Sequence, residues 1–148
     1  MSFLSFLSKK KNLKRTKYFC HYHYRLLMKH QQLIDAIMDN DKNIRFATIC
    51  NMIGDIEVTG QSEGIEKFLT SEETKESLEN AAKAWLHAKK TISKKIGNGL
   101  YTLTVYEKLR RVTVPLEDGF LLLATMNNSG EENQTMSGIL KLVHEDHA

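Results

Sequence analysis

Apolar positions along the 148-residue chain recur with a period near 3.6 in some blocks and near 2 in others. Leu26, Leu27, Leu33, Ile34, Ile37 and Met38 return at three- and four-residue intervals and predict a first helix from about Leu26 or Met28 to Asp39, ended by Asp39-Asn40-Asp41. Arg45 to Asn51 and Ile56 to Thr59 are rich in branched and apolar residues. They flank Met52-Ile53-Gly54-Asp55, which reads as the turn of an antiparallel hairpin with glycine at its tip. Gly60 to Leu69 reads as a loop containing Gly64 and anchored by Ile65, Phe68 and Leu69.

Thr70-Ser71-Glu72-Glu73 has the spacing of a capping box, with two acids in the first turn where the helix dipole favours them. The long helix opened there is expected to carry Leu78, Ala82, Trp85, Ile92 and Ile96 as its apolar stripe. Lys94 and Lys95 fall in its last turn and Gly97 is its stop. Beside the stripe lies a row of small residues, Ser77, Ala81, Ala84, Ala88 and Thr91, over which another backbone could come close. Three strands follow, Leu100 to Tyr106, Arg111 to Leu116 and Phe120 to Met126, with turns at Glu107-Lys108 and Glu117-Asp118-Gly119. Tyr101, Leu103 and Val105 alternate with Thr102, Thr104 and Tyr106, whereas Phe120 to Ala124 is apolar at every position. A strand apolar on both faces must be covered on both, so the last strand is expected at the centre of the sheet with helices on each side. Pro115 suits an edge-facing or terminal position, because proline cannot donate to the ladder. A last helix, from about Glu131 to Glu145, turns Met136, Ile139, Leu140 and Val143 inward. The expected fold is α+β: a five-stranded antiparallel sheet with helices on both faces, in the order helix, two strands, helix, three strands, helix.

Length and composition add that this is one domain with an ordinary globular make-up, since 41% of the chain is hydrophobic, 26% is charged and one residue is proline. Cys20 and Cys50 are too few for a disulfide framework, and nothing before them reads as a secretory signal, which places the protein in a reducing cytoplasm. No apolar run approaches the roughly 20 residues needed to span a bilayer. The charge changes the picture more. Residues 1–27 contain Lys9, Lys10, Lys11, Lys14, Arg15, Lys17 and Arg25 and no acid, while residues 28–148 hold 14 basic against 18 acidic residues. The division is therefore a basic N-terminal arm over 1–27 and a mildly acidic domain over 28–148. The arm could grip single-stranded nucleic acid through its charges and Tyr18, Phe19, Tyr22 and Tyr24. It could instead dip Phe3, Leu4, Phe6 and Leu7 into an anionic membrane surface, or be a flexible tail. Met28, where the charge changes sign, is a candidate translation start; an N-terminal peptide from residues 2–15 in the native protein would exclude it.

Chemistry-bearing motifs are sparse. There is no G-x-S-x-G, no H-E-x-x-H and no Walker loop, and Gly97-Asn98-Gly99 follows a helix instead of opening one, so it cannot cradle phosphate. Adjacent acids at Glu72/Glu73, Glu117/Asp118 and Glu131/Glu132 sit at helix starts or in a turn, where capping and solvation account for them. His23 and His30 would stand about 10 Å apart along one helix, too far to share an ion, and Cys20/His23 or His144/His147 supply two ligands each. Cys50 is most simply a small buried residue in a strand. No catalytic residue, metal or cofactor is assigned.

The element order is similar to that of the roadblock/LC7 group of small signalling and scaffold proteins, relatives of the profilin-like architecture. Ile44-Arg45-Phe46-Ala47, Gly54, Leu69-Thr70-Ser71-Glu72-Glu73, Tyr106-Glu107-Lys108, Thr113-Val114-Pro115-Leu116 and Leu121-Leu122-Leu123 also resemble a family of small archaeal proteins, of the type found in ammonia-oxidising archaea, to which no activity is assigned. The likeness covers about residues 28–143. The wider resemblance implies a domain without catalytic residues that dimerises through its long second helix and a neighbouring sheet edge, as a platform often used by small GTPases. On this chain it implies an interface of Ser77, Ala81, Ala84, Ala88 and Thr91 with Leu100, Thr102 and Thr104. The arm before Met28 is a departure from that compact pattern. Two other functions stay open: a small-ligand sensor with a cavity lined by Phe46, Tyr101, Trp85 and Leu123, and nucleic-acid or membrane-surface binding through the arm.

Overall fold

The computed structural model describes the backbone of residues 3–128 and 132–145 and the side chains of residues 20–128 and 133–145. Helix α1 (Phe3–Asn40) leads into the hairpin β1 (Ile44–Asn51) and β2 (Ile56–Gln61), followed by α2 (Ser71–Thr91) and the single turn α3 (Ser93–Ile96). Strands β3 (Thr102–Val105), β4 (Leu109–Pro115) and β5 (Phe120–Asn127) form a meander, and α4 (Glu132–Glu145) closes the chain. All five strands join one antiparallel sheet in the order β2-β1-β5-β4-β3.

β5 is the central strand because its residues need two covers: Leu122, Ala124 and Met126 face one side while Leu121 and Leu123 face the other. The first side is the main core. There Ile44, Ala47, Ile49, Val112 and Val114 pack with Leu33, Ile34 and Ile37 of α1 and Met136, Ile139 and Val143 of α4. The second side is smaller, with Cys50, Leu121 and Leu123 under Leu78 of α2 and Phe46, Ala81 and Trp85 around them. Pro115 is the last residue of β4, where the missing donor breaks no continuing ladder.

Three expectations change. The first helix is continuous back to Phe3 instead of starting near Leu26 or Met28; Leu26 is half-buried and Leu27 exposed, because both precede the part of α1 that meets the sheet. The side chains of the arm's Lys9, Lys10, Lys11, Lys14, Arg15 and Lys17 lie outside the described residues. The second helix does not run unbroken to Ile96. It ends at Thr91, and Ile92 and Ile96 are 52% and 80% exposed instead of inward, since the sheet beneath α2 ends near Trp85. The third strand is Thr102–Val105, shorter than Leu100 to Tyr106. Tyr101 and Val105 are exposed because neither α1 nor α4 reaches over this edge.

His30, weighed above only as a metal ligand, is a core residue. Its ring is buried, its Nδ1 lies 2.7 Å from Glu57 Oε2, and its edge meets Phe120 at 4.6 Å between centroids. It fixes the point at which α1 reaches the sheet.

Candidate functional site

α2 is placed by its first turn. The Glu73 N–H donates to Thr70 Oγ1 at 3.1 Å and the Thr70 N–H donates to Glu73 Oε2 at 2.8 Å, the reciprocal pair that the T-x-x-E spacing predicts. About two turns into α2 the helix backbone meets the β1–β2 hairpin at Gly54, where a Cβ would stand 2.6 Å from Glu79 Cγ and 2.8 Å from Glu79 Cα. Leu78 and Ala82 are fully buried on the sheet. On its other flank α2 is held by polar bonds to β4: the Arg111 guanidinium donates to the Ser77 hydroxyl and, at 3.2 Å, to the Ser77 carbonyl, and the Trp85 indole N–H donates to Thr113 Oγ1 at 3.0 Å.

Past that flank the second face of the sheet stays open. A groove of about 1350 Å³ runs along α2, walled by Ser77, Ala81, Ala84, Trp85 and Ala88, floored by Thr102, Thr104, Arg111, Thr113, Leu123 and Thr125, and reaching Ile56, Thr59 and Gln61 on the β2 side. Its floor is threonine and arginine where the other face carries valine, leucine and isoleucine, a surface that tolerates water. Phe68 closes one end, with the Arg45 guanidinium 4.9 Å and the Lys108 ammonium 5.4 Å from its ring centroid, within cation–π range. Arg45 also donates to Asn127 Oδ1 and to the Glu66 carbonyl, both at 2.9 Å. Asn128 Nδ2 donates to the carbonyls of Tyr106 and Glu107 at 3.1 and 2.7 Å. The loop before α2 and the β3–β4 turn are thus tied to the ends of β1 and β5, which gives the groove a fixed rim.

Of the residues expected at an interface, Ser77, Ala81, Ala84, Ala88, Thr102 and Thr104 line this one groove. Thr91 and Leu100 do not. Thr91 is exposed at the end of α2 with its hydroxyl on the His87 carbonyl at 2.9 Å, and Leu100 is 72% exposed ahead of β3. Ser77 differs from expectation in another way, being already bonded to Arg111. The expected ligand cavity is met by Phe46, Trp85 and Leu123 but not by Tyr101, which precedes β3 and is not among the groove residues. Arg111, Thr113, Lys108 and Phe68 were missed. The two arginines at 110 and 111 alternate across a strand, which points one of them to the α2 face, but which one depends on the register with β5.

Among the described residues, no three His, Cys, Asp or Glu side chains gather in a group that could hold a metal ion. Cys20 is exposed; His147 and Glu131 lie outside the described residues. Cys50 is fully buried in β1, and that burial pushes its thiol up to about 11. Glu73 serves the α2 cap. No described helix is long and apolar enough to cross a membrane.

No protein-family model matches this sequence, and no curated protein matches it. Solved structures do. The gliding protein MglB of Thermus thermophilus superposes with a TM-score of 0.62 at 7% identity over 80% of this chain and 90% of its own. A roadblock/LC7 domain from Streptomyces avermitilis gives 0.61 at 9% identity over 79% and 93%. The chain has the roadblock/LC7 fold. MglB of Myxococcus xanthus, at a TM-score of 0.63 and 12% identity over 80% and 85%, agrees, and at such identities the agreement concerns architecture alone.

Proposed function

We propose that this roadblock-fold chain is a non-enzymatic scaffold or regulatory protein of the cytoplasm that acts through homo- or heterodimerisation, and that the dimer serves a small GTPase or another signalling partner. Its lineage, on this reading, is that of the small archaeal proteins whose motifs it resembles. The supporting observation is that the small residues of α2 and the outward-facing threonines of β3 line one groove, beside a strand that ends the sheet and whose outer ladder edge has no neighbour among the described residues. A second copy offering its own α2 and β3 would meet small side chains on the helix and extend the sheet. One of the structural neighbours, an MglB, is described in a tetrameric arrangement.

Light scattering of the full chain across a concentration series tests this. A dimer that the Ala84→Glu, Ala88→Glu variant splits is the expected result. A monomer at every concentration refutes the homodimer, and a dimer indifferent to both glutamates places the interface elsewhere.

The size of the groove and its Phe46, Trp85 and Leu123 lining support a second reading, a small-ligand sensor. It requires a melting temperature that rises with the ligand and a rise that is lost when Trp85 is truncated.

A further inference from the structure

The five strands contain one acidic residue, Glu57, and it turns to His30 of α1, the helix that covers the other face. The sheet therefore places no acid on the floor of the groove, while it places two arginines there. Arg111 stands opposite Thr125 of β5, which stands opposite Phe46 of β1, next to Arg45. Both arginines are half-buried and line the groove. A charge drawn partly out of water is normally met by an opposite one, yet among the described residues neither arginine has a carboxylate partner. Arg45 donates to Asn127 Oδ1 and to the Glu66 carbonyl, and Arg111 donates to the hydroxyl and the carbonyl of Ser77. These neutral oxygens take two of the five N–H donors of each guanidinium and leave the rest to offer. Lys108 adds a third cation at the same end, since its ammonium and the Arg45 guanidinium lie 5.4 and 4.9 Å from the one Phe68 ring.

Glu66, Glu73, Glu76 and Glu107 also border the groove. All four are exposed, on the loop before α2, on α2 itself or in the β3–β4 turn, and Glu73 is engaged by the helix cap. Water and salt screen such carboxylates, whereas the half-buried arginines beneath are screened much less. An occupant that reaches the floor therefore meets positive charge. Beyond the charged end the lining is uncharged: from Ser77, which holds Arg111, to Trp85 the helix advances about 12 Å, and Ala81 and Ala84 lie between. That length accommodates one ring joined to one head group.

We propose that the groove binds a small organic oxyanion, a phosphate ester or a carboxylate, with its head among Arg45, Lys108 and Arg111 and its uncharged body along Ala81, Ala84 and Trp85. The proposal rests on the ligand-sensor reading and gives it a ligand class. The planar fork of a guanidinium matches the paired oxygens of either head.

The test is calorimetric titration of the full chain with phenyl phosphate, benzoate and phenol, while the emission of Trp85, the single tryptophan, reports whether they enter the groove. Phenyl phosphate is expected to bind at least about ten-fold tighter than phenol, which has the same ring without the charge. Arg111→Gln weakens phenyl phosphate about ten-fold and leaves phenol unchanged. Lys108→Gln, in an exposed turn, keeps the parent's melting curve and weakens phenyl phosphate about two- to five-fold. Benzoate binding as tight as that of phenyl phosphate supports the proposal with a carboxylate head. Phenol binding as tight as that of phenyl phosphate overturns the oxyanion assignment and leaves the sensor reading standing. Phenyl phosphate bound equally by the parent and both variants, or bound without a change in Trp85 emission, overturns the proposal because the anion then sits elsewhere on the chain. No binding of any of the three at about 10 mM overturns it and counts against the sensor reading as well.

Discussion

The contact between Gly54 and α2 can be isolated with a pair of substitutions. Gly54 and Gly64 both have positive φ, +89° and +68°, so placing alanine at either one costs about 1–2 kcal/mol of backbone strain, offset by about 0.4–1 kcal/mol of lost freedom in the unfolded chain. They differ in their surroundings. A Cβ at Gly64 has nothing within 4 Å, whereas one at Gly54 stands 2.8 Å from the backbone N and Cα of Glu79, atoms that cannot swing aside as a side chain can. Relieving that clash requires moving α2 off the sheet, an overpacking cost of about 1–3 kcal/mol. Gly54→Ala is therefore expected to destabilise the protein by about 1–3 kcal/mol more than Gly64→Ala. Urea unfolding at one fixed protein concentration reads the difference, because association would otherwise shift both midpoints. Trp85, the single tryptophan, sits on the α2–sheet junction and reports the transition by fluorescence. Losses equal within about 0.5 kcal/mol would refute the claim that the hairpin turn sets the height of α2.

Other expectations follow from the same interface. Thr113→Val keeps the side chain's shape and deletes the bond from the Trp85 indole, costing about 1 kcal/mol in the same unfolding measurement. Leu78→Ala, at a fully buried position, should cost about 2–5 kcal/mol, while Ile96→Ala, exposed past the sheet, stays within about 0.5 kcal/mol. Cys50 should resist alkylation in the folded protein near pH 8 while Cys20 reacts, because its thiol is buried and its ionisation is pushed up to about 11 from 9.0. The folded state holds this proton more tightly than the unfolded chain, so its contribution to stability is complete below pH 9 and is lost as pH rises toward 11. A Cys50→Ala variant should lose less stability than the parent across that window, as thermal melts at stepped pH would show.

Most of the architecture was legible because its signals are local and redundant. The unbroken apolar run of β5 needs two covers wherever it lies, and the capping box at Thr70 states where α2 begins irrespective of its surroundings. Tertiary limits were not legible. Ile92 and Ile96 keep the helical spacing of Leu78 and Trp85, and only the extent of the sheet reveals that nothing lies beneath them. Likewise Tyr101 and Val105 alternate correctly, yet an edge strand beyond the reach of α1 and α4 leaves them in water. His30 shows the limit of inventories: beside Cys20 and His23 it is weighed as a ligand and set aside on distance, while nothing local points to its partner Glu57, 27 positions away on another element. The site was half visible for the same reason. The alanine row of α2 is periodic and therefore readable, whereas Arg111, Phe68 and Lys108 come together through register and loop path.

The width of the sheet bears on what should fill the groove. Five strands about 4.8 Å apart make a surface roughly 20–25 Å across, and packed helices stand about 8–10 Å apart, so two helices cover one face. The first face has two, α1 and α4, and its floor is aliphatic. The second face has α2, held by Leu78 over the central strands and by Arg111 and Trp85 on its β4 flank, which leaves Thr102 and Thr104 of the edge strand β3 exposed beside it. A bare edge lined with valine and leucine would drive aggregation; this one presents Thr102 and Thr104, while Thr113 and Arg111 are already bonded to α2, so the single chain stays tolerable in water while offering hydrogen-bonding groups to a partner. Those two properties suit a reversible occupant of helical width. A second α2 meets that description with small side chains already facing it. On this argument, Thr102→Val with Thr104→Val should strengthen association in the light-scattering series, by removing polar groups that must be desolvated, if the partner lays an apolar helix on this edge. Weaker association would mean instead that the threonine hydroxyls bond to the partner, and unchanged association would remove β3 from the interface.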